Sequence, residues 1–322
     1  MIVDLPDTNT SKVSKALVKI REEGGVVALG RVLTLVIATT LGQEEEAIEA
    51  ANDASREHPM RVIVISTADA DDSRADEVAG RLDAQIRVGG DAGASEVVVL
   101  RAYGETASDQ EGLVTGLLLP DAPVVAWWPG TAPEVASESP LGRIATRRIT
   151  DASTQSDPNE ALRHLAATYA PGDTDFAWTR LTLWRAQLAA VLDQPPFEPI
   201  TAVEVAGAVD SPSTVLLAAW LGMQLDVPVR HDLTRASGAS GIHGVRLTRE
   251  SGVIELEREI PNIATLVQPN QPTHDLALPR RNLRDCLAEE LRRLDPDDLY
   301  GEVITRGLER LAETEYGTGA GV

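Results

Sequence analysis

The chain has 322 residues, of which 43% are hydrophobic and 25% are charged, and its formal net charge is −21 at pH 7. This length favours two domains, and this composition is ordinary for a globular protein in water. The excess of acidic residues argues against nucleic acid or an anionic membrane as a partner, because both bind basic protein surfaces.

The cysteine count and the apolar runs bear on cellular location. Cys286 is the only cysteine, so an intrachain disulfide and a thiolate metal site are both excluded. Its place in a helical pattern indicates a small buried side chain and not a nucleophile. The opening residues lack the charged and apolar regions of a signal peptide, and no apolar run approaches the ~20 residues that span a bilayer. We therefore expect a cytoplasmic protein.

The first half of the chain predicts an α/β domain with a mainly parallel sheet. Residues 31–39 and 60–66 are rich in valine, leucine and isoleucine, and an amphipathic helix is predicted between them at 44–57. A strand–helix–strand unit of this length joins parallel strands. The other elements predicted here are a helix at 11–23, strands at 82–88 and 96–103, the end of a helix at 113–119, strands at 124–128 and 147–151, and a helix at 159–169 begun by Asp157-Pro158.

Residues 169–173, with the sequence Y-A-P-G-D, mark the expected boundary between a first domain at 1–170 and a second at 171–322. After the boundary, apolar residues recur at helical spacing, with Trp178 and Trp184 on the buried face. The remaining predicted elements are a strand at 201–209, a helix begun by Ser211-Pro212, a hairpin of 245–249 and 253–259, a last strand at 263–268, and helices at 282–294 and 296–313, the last begun by Asp295-Pro296. The predicted fold class is α/β, with two α/β domains.

The stretch 119–130, L-P-D-A-P-V-V-A-W-W-P-G, contains a short apolar strand that ends at Pro129-Gly130. Adjacent residues of a strand point to opposite faces, so Trp127 and Trp128 cannot share one pocket within the strand. We expect Trp128 at the carboxyl edge of the sheet, where open α/β sheets bind ligands. The alternative is that both rings are ordinary core residues.

A ligand crevice at this edge is one hypothesis for the chain. Closely spaced glycines can bring backbone N–H groups against a phosphate, and arginine can bind phosphate through two parallel hydrogen bonds. The glycine spacing differs from the G-x-G-x-x-G dinucleotide fingerprint, so a plain turn or hairpin is the favoured interpretation, and the arginines could equally pair with carboxylates. The candidate ligand-binding residues are Trp128, Gly89, Gly90, Gly93, Arg147 and Arg148.

No group of residues indicates catalysis or metal binding. The histidines are scattered, with no second ligand at metal spacing, and no G-x-S-x-G nucleophile motif is present. The glycine-containing stretch at 237–241 lacks the lysine that a phosphate-binding P-loop requires. We expect no catalytic residues, no metal and no cofactor. The histidines are His58, His164, His231, His243 and His274.

Four strings of the chain, taken together and in order, resemble one protein family. They are R-V-G-G-D-A-G-A-S-E-V-V-V-L-R-A-Y-G at 87–104, L-P-D-A-P-V-V-A-W-W-P-G at 119–130, R-R-I-T-D-A-S at 147–153 and Y-A-P-G-D-T-D-F-A-W-T-R-L-T-L-W-R at 169–185. They resemble the actinobacterial branch of the OpcA family, the glucose-6-phosphate dehydrogenase assembly proteins. The likeness extends from residue 21 to residue 301.

The resemblance implies a non-enzymatic cytoplasmic protein that binds glucose-6-phosphate dehydrogenase and favours its active state. That enzyme opens the oxidative pentose phosphate pathway and makes NADPH. Photosynthetic relatives are tied to thiol-based redox control, which Cys286 could support only through an intermolecular disulfide. The alternative hypothesis is an enzyme, a degenerate enzyme or a sensor that binds a sugar phosphate or nucleotide at the sheet edge. Self-association stays open under both hypotheses.

Overall fold

The computed structural model describes residues 1–24, 32–69, 79–89, 96–234 and 241–318. The chain divides into two compact units, each of which combines helices with a sheet, so the predicted α/β class is confirmed. The domain boundary after residue 170 stays a prediction, because short segments on either side of residue 170 alternate between the two units. Unit 1 contains Met1–Asp151, Gly172–Thr174 and Asn282–Pro296, and unit 2 contains Ala152–Pro171, Asp175–Arg281 and Asp297–Val322.

The bounds of the elements follow in chain order. The strands are β1 (Ile2–Leu5), β2 (Leu33–Thr40), β3 (Met60–Thr67), β4 (Arg81–Val88), β5 (Glu96–Tyr103), β6 (Val124–Trp127), β7 (Arg147–Thr150), β8 (Asp173–Asp175), β9 (Ala202–Ala208), β10 (Val229–Thr234), β11 (Ile242–Arg249), β12 (Gly252–Ile260), β13 (Ile263–Val267) and β14 (His274–Ala277). The α-helices are α1 (Thr10–Gly24), α2 (Glu44–Ala54), α3 (Gln110–Thr115), α4 (Pro140–Ile144), α5 (Pro158–Thr168), α6 (Phe176–Thr179), α7 (Thr182–Leu192), α8 (Pro212–Leu225), α9 (Leu283–Glu290), α10 (Asp298–Glu302) and α11 (Leu308–Thr318). A π-helical turn, Val303–Gly307, joins the last two helices.

The sheet of unit 1 has eight strands in the order β1–β4–β5–β3–β2–β6–β7–β8. From β5 to β7 the neighbouring strands are parallel, whereas β4 is antiparallel to β5 and β1 is antiparallel to β4. The predicted β2–α2–β3 unit is present, with its two strands parallel. This confirms a mainly parallel first sheet.

Both faces of the unit 1 sheet are covered, which explains why its central strands are mostly apolar along their whole length. On one face, Val13 and Leu17 of α1 pack with α3 and α4 in a cluster that also contains Val36 and Ile63. On the other face α2 packs against α9. Every residue of β3 except its last, Thr67, is buried.

The sheet of unit 2 has six strands in the order β10–β9–β11–β12–β13–β14. The β9 and β10 strands are parallel and are connected through α8, and the remaining neighbours are antiparallel. The predicted hairpin is confirmed as β11 and β12. One face of this sheet packs on α7, α8 and the helices at the end of the chain, with Trp178, Trp184 and Tyr300 in the core.

Three helix starts were predicted from a capping residue followed by proline, and two of them are confirmed. The side chain of Asp157 accepts a hydrogen bond from the Glu160 amide at the start of α5, and Ser211 accepts one from the Thr214 amide at the start of α8. The third predicted start, at Asp295-Pro296, is wrong. Asp297 is the cap of α10, because its carboxylate accepts the Tyr300 amide at 3.0 Å.

Three other predictions need correction. The helix predicted around Trp178 and Trp184 is divided into α6 and α7. The strand predicted at 263–268 is not the last, since β14 pairs with β13 after it. The prediction also lacked β1, β8 and β10. No helix within the described ranges is long and apolar enough to cross a membrane.

Candidate functional site

The two adjacent tryptophans lie where the sequence predicts them, at the carboxyl end of β6. Trp128 packs in the same cluster as Val124 and Ala126, so Trp127 points to the opposite face. Trp127 is completely buried and Trp128 is 4% exposed. Both rings are therefore covered by protein, and neither offers a face to solvent.

The structure does not bring Gly89 to Trp128. Gly89 follows β4, which is separated from β6 by β5, β3 and β2, so about 19 Å of sheet lies between the two strands. Because β4 is antiparallel to β5, with Val88 opposite Glu96, Gly89 lies at the amino edge of the parallel strands. Trp128 lies at the carboxyl edge. The expectation that they line one crevice is thus corrected; Gly90 and Gly93 lie outside the described residues.

The two candidate arginines are buried in ion pairs. Nε of Arg147 lies 3.1 Å from Oε2 of Glu290, and its Nη1 donates to the Asp295 carbonyl at 2.9 Å. Arg148 pairs with Asp173 through its Nε. These pairs account for both arginines without a ligand. Ligand binding stays a prediction for Trp128, Gly89, Gly90, Gly93, Arg147 and Arg148.

The strand order does contain the place where doubly wound sheets bind ligands. The chain passes from β2 to β3 and β5 on one side, and then returns to β6 and β7 on the other side. The order therefore reverses between β2 and β6, and ligands in such folds occupy the crevice at the carboxyl ends of the two strands. The N-terminus of α2, directly after β2, is the position that receives a nucleotide phosphate in folds of this kind.

In this protein the start of α2 carries carboxylates of its own. Glu44, Glu45 and Glu46 form the first turn. Glu44 is 3% exposed, and its Oε1 accepts hydrogen bonds from Ser66 Oγ at 2.7 Å and from Arg101 Nε at 3.1 Å. A buried internal anion thus neutralises the positive end of the helix dipole.

The neighbouring Glu45 is held by a two-point ion pair. Nη1 and Nη2 of Arg87 lie 2.9 and 2.6 Å from its two carboxylate oxygens. The hydrogen bond from Arg87 lowers the pKa of Glu45, and the same bond raises the pKa of Arg87. Glu45 is therefore ionised at neutral pH, and a phosphate placed at this helix end would be repelled.

A cluster of buried ion pairs also stabilises the amino edge of the parallel strands in the unit 1 sheet. Glu96 is 1% exposed and lies 2.7 Å from both Nε of Arg61 and Nη2 of Arg21. Arg61 also donates to the Leu117 carbonyl. This cluster joins β3, β5, α1 and the segment after α3, and it is structural.

No metal site is evident among the residues that the structure describes, where no three His, Cys, Asp or Glu side chains are grouped as ligands. Cys286 is completely buried, as its helical setting predicts. The ring Nε2 of His58 lies 3.1 Å from the Ala288 carbonyl.

Unit 2 presents a different kind of surface, on the face of its sheet opposite the core. Buried and outward residues alternate along each strand, so that Ile254 and Leu256 are buried on either side of Glu255. Strand pairing brings outward residues of neighbouring strands side by side. We call this surface the outer face and define it by Glu204, Arg246, Val253, Glu255, Glu257, Ile263 and Val267.

The centre of the outer face is acidic. Arg246 lies 3.1 Å from Glu255, 2.9 Å from Glu257 and 3.8 Å from Glu204. These charges, led by that of Glu255, raise the pKa of Arg246. One arginine compensates only one of three carboxylates, so the patch keeps a net negative charge.

Apolar side chains flank this acidic centre. Val253, Ile263 and Val267 are all exposed by more than a third, and Val267 lies directly opposite Glu255. Ile260, next to Ile263 in the strand pairing, is also exposed. Exposed apolar residues that cluster among polar ones mark surfaces that bind other proteins. The sequence predicted these strands but did not single out this surface; the alternation V-I-E-L-E at 253–257 was the available signal.

Comparison with protein families matches most of the chain. Residues 51–167 match the N-terminal domain, and residues 171–304 the C-terminal domain, of the family described as the glucose-6-phosphate dehydrogenase subunit, and both matched models carry the name OpcA. The chain belongs to the OpcA family. The predicted resemblance is confirmed, and OpcA membership indicates a role in glucose-6-phosphate dehydrogenase assembly.

No curated protein sequence is significantly similar to this OpcA chain. Similar solved structures include an oxidoreductase from Sinorhizobium meliloti, with 10% identity, TM-score 0.49 and coverage of 90% of this chain and 98% of that one. Myo-inositol dehydrogenase from Lactobacillus casei has 11% identity, TM-score 0.47 and coverage of 88% and 95%. A glucose-6-phosphate dehydrogenase bound to glucose-6-phosphate has 10% identity, TM-score 0.39 and coverage of 89% and 93%. Similarity at this level carries no inference about activity.

Proposed function

We propose that this protein is a non-enzymatic assembly factor and allosteric activator of glucose-6-phosphate dehydrogenase, acting in the oxidative pentose phosphate pathway in the cytoplasm. Membership of the OpcA family supports the choice of partner. The outer face of unit 2 is the observation that carries a binding role, because it combines exposed valine and isoleucine side chains with an acidic centre.

A binding role without catalysis is supported by the start of α2. Glu44 fills the position where a nicotinamide cofactor would place its pyrophosphate, and it is held there by Ser66 and Arg101. Displacing it would leave a buried carboxylate without its partners, which is costly. The net charge of −21 supports a protein partner over nucleic acid or an anionic membrane.

We further propose that the outer face contacts the dehydrogenase. Its exposed valine and isoleucine side chains would be removed from water, and its three glutamates would face a basic patch. Complementary charge of this kind speeds association and makes it sensitive to salt. The rate of complex formation should therefore fall as ionic strength rises.

Activation requires a difference in affinity between two states of the enzyme. An effector shifts an equilibrium only by that difference. A tenfold gain in substrate affinity corresponds to about 1.4 kcal/mol of coupling, within the usual range for allosteric effectors. Reciprocity then requires that glucose 6-phosphate tighten the complex by the same factor.

The test is a titration of the dehydrogenase with this protein at several glucose 6-phosphate concentrations, with the mass of the complex measured in parallel. We expect a defined complex and a lower KM or a higher kcat. If KM, kcat and oligomeric mass all stay fixed at saturating protein, the assembly-factor proposal fails.

Variants test the contact surface separately. Val253→Asp and Val267→Asp place a charge on the outer face, and Val18→Asp makes the same change on the exposed surface of α1. The outer-face variants should weaken activation while Val18→Asp leaves it unchanged. Full activation by both outer-face variants would refute the assignment of this surface and leave the function itself standing.

A further inference from the structure

Unit 2 contains a second feature, a cavity of about 190 Å³ on the core side of its sheet. Four arginines line it, and no acidic residue of the described chain does. This is unusual in a protein whose formal net charge is −21. The arginines are Arg180, Arg258, Arg280 and Arg281, and we call the cavity the arginine pocket.

Among the arginines of the pocket, Arg258 is held in place by hydrogen bonds to the backbone. It follows Ile254 and Leu256 on the core side of β12, and its guanidinium donates to the carbonyls of Leu278 at 3.2 Å and Ile242 at 3.1 Å. These two bonds use only part of its five N–H groups. Within the described residues, Arg258 forms no ion pair with a carboxylate.

The surroundings of Arg258 compensate its positive charge poorly. Burial and the charge of Arg280 lower its pKa to about 10. Its guanidinium carbon lies 5.3 Å from the ring centre of Trp184, which also lines the pocket. The group stays protonated at neutral pH, so two like charges are held close together beside an indole.

Two further features favour an anion at this position. Arg281 is oriented by a hydrogen bond from its Nη1 to the Thr179 carbonyl, at 2.9 Å. The first turn of α8, at Ser213, forms part of the wall, so the positive end of a 14-residue helix adds to the field of the arginines. The Ser213 hydroxyl itself donates to the Ala177 carbonyl.

We propose that the arginine pocket binds a phosphate dianion, either inorganic phosphate or the phosphoryl group of a small phosphomonoester such as a sugar phosphate. Guanidinium groups match the geometry of phosphate oxygens through paired hydrogen bonds. The cavity is smaller than the roughly 300 Å³ of pockets that enclose drug-sized ligands. It therefore takes a phosphoryl group with a short organic portion and not a whole dinucleotide. None of the observations at this pocket involves the proposed contact with the dehydrogenase, so either proposal can fail without the other.

The test is calorimetric titration of the full chain with inorganic phosphate, with glucose 6-phosphate and with glucose. The tryptophan fluorescence of the chain supplies a second readout, since the ring of Trp184, one of its five tryptophans, lines the pocket. Saturable binding of both phosphates with equal affinity shows that only the phosphoryl group is recognised; tighter binding of glucose 6-phosphate shows that the organic portion also contacts the protein. Either result supports the proposal, and the absence of saturable binding by both phosphates overturns it.

Three variants locate the binding site. Arg280→Gln removes one positive charge from the pocket. Arg258→Lys keeps the positive charge but loses the planar guanidinium that can donate two parallel hydrogen bonds to phosphate. Arg306→Gln is the control, because it removes an exposed arginine elsewhere in unit 2. We expect the first two to weaken phosphate binding at least about tenfold, since a hydrogen bond to a charged group has this magnitude. Arg306→Gln should bind as the wild type does.

The thermal midpoint of each ligand-free variant reports whether it is folded. Arg280→Gln serves as the deciding variant if Arg258→Lys unfolds, because Arg258 is also tied to two backbone carbonyls. Wild-type affinity in folded Arg280→Gln overturns the assignment to this pocket. A phosphomonoester loses its second charge near pH 6, so binding of a dianion should also weaken between about pH 7.5 and 5.5.

Discussion

The Oε1 atom of Glu44 lies 2.7 Å from the hydroxyl of Ser66, so the last part of β3 is tied to the first turn of the helix that follows β2. Arg101, on β5, donates to the same oxygen at 3.1 Å. Three elements at the carboxyl edge of the sheet thus share one buried carboxylate, at the place where related topologies leave room for a ligand.

Glu44→Gln should destabilise the folded protein by about 1.5–3 kcal/mol, because the buried hydrogen bonds to a charged carboxylate are weakened. The matched control is Glu46→Gln, which removes the same charge from the same helical turn but at an exposed position. The control should change stability by less than about 0.5 kcal/mol. Urea unfolding of both variants gives the comparison. Equal effects would show that the charge near the helix end matters and the buried contacts do not.

The protein free of the dehydrogenase should not transfer hydride from glucose 6-phosphate to NADP, and it should not bind NADP at the carboxyl edge of the unit 1 sheet. The carboxylates of Glu44 and Glu45 oppose a pyrophosphate at the start of α2. Absorbance at the NADPH band and a calorimetric titration with NADP check the two statements. Any turnover by dehydrogenase-free protein would contradict the non-enzymatic proposal.

Glu96→Ala should cost about 3–5 kcal/mol of stability, because it leaves the nearly buried Arg61 without its carboxylate. The control is Glu302→Ala, which breaks the exposed pair with Arg306 and should cost less than about 1 kcal/mol. Chemical unfolding monitored by tryptophan fluorescence measures both. A small effect at Glu96 would mean that water enters to solvate Arg61.

The pair of Glu45 and Arg87 should give a small pH-dependent stability. The pKa of Glu45 is lowered in the folded protein, chiefly by the hydrogen bond from Arg87, so its contribution is complete above the unfolded value near 4.5 and is lost as pH falls through the folded value. Glu45 is largely exposed, so solvent screening keeps the contribution below about 1 kcal/mol. The stability difference between wild type and Glu45→Gln should be present at pH 7 and vanish in strong acid. A difference that grows on acidification would contradict the assigned pair.

Asp297→Ala should destabilise the protein by about 1–2 kcal/mol or more, since Asp297 caps α10 and also accepts the indole N–H of Trp178 at 2.9 Å. Asp295→Ala is the matched control, because its carboxylate caps no helix and its backbone carbonyl is retained. Thermal unfolding of the two variants distinguishes the cap that the structure shows from the one that the sequence suggests. The opposite order of effects would contradict the structure.

The parallel core of unit 1 could be predicted because its signals are local. β2 and β3 are long apolar runs, and α2 between them has its apolar residues on one face. β1 and β14 have no such signal, since each has four residues, exposed or half-buried, and forms only by pairing with another strand. Residue Ile2 pairs with Arg87, far along the chain, and no local pattern reports that contact.

The site was harder to predict for the same reason. Whether Gly89 and Trp128 meet depends on the strand order and on the antiparallel direction of β4, which are properties of the whole sheet. The sequence left open that Arg147 pairs with a carboxylate, but Glu290 is 143 residues away along the chain. The first-turn glutamates were visible in the sequence, yet only the fold shows that Ser66 and Arg101 bury one of them.

Helix α9 belongs to unit 1 although it is made after most of unit 2, and this determines the order in which unit 1 is completed during synthesis on the ribosome. The sheet strands up to β7 are complete by residue 150, whereas Glu290, the partner of Arg147, is made more than a hundred residues later. At translation rates of about 5–20 residues per second, this delay is about 7–28 seconds. During that interval the nascent unit 1 lacks both the helix that covers α2 and the counter-charge for Arg147. We expect the nascent chain to be most exposed to proteases and chaperones in this window, and to lose that exposure once residue 296 has left the ribosome.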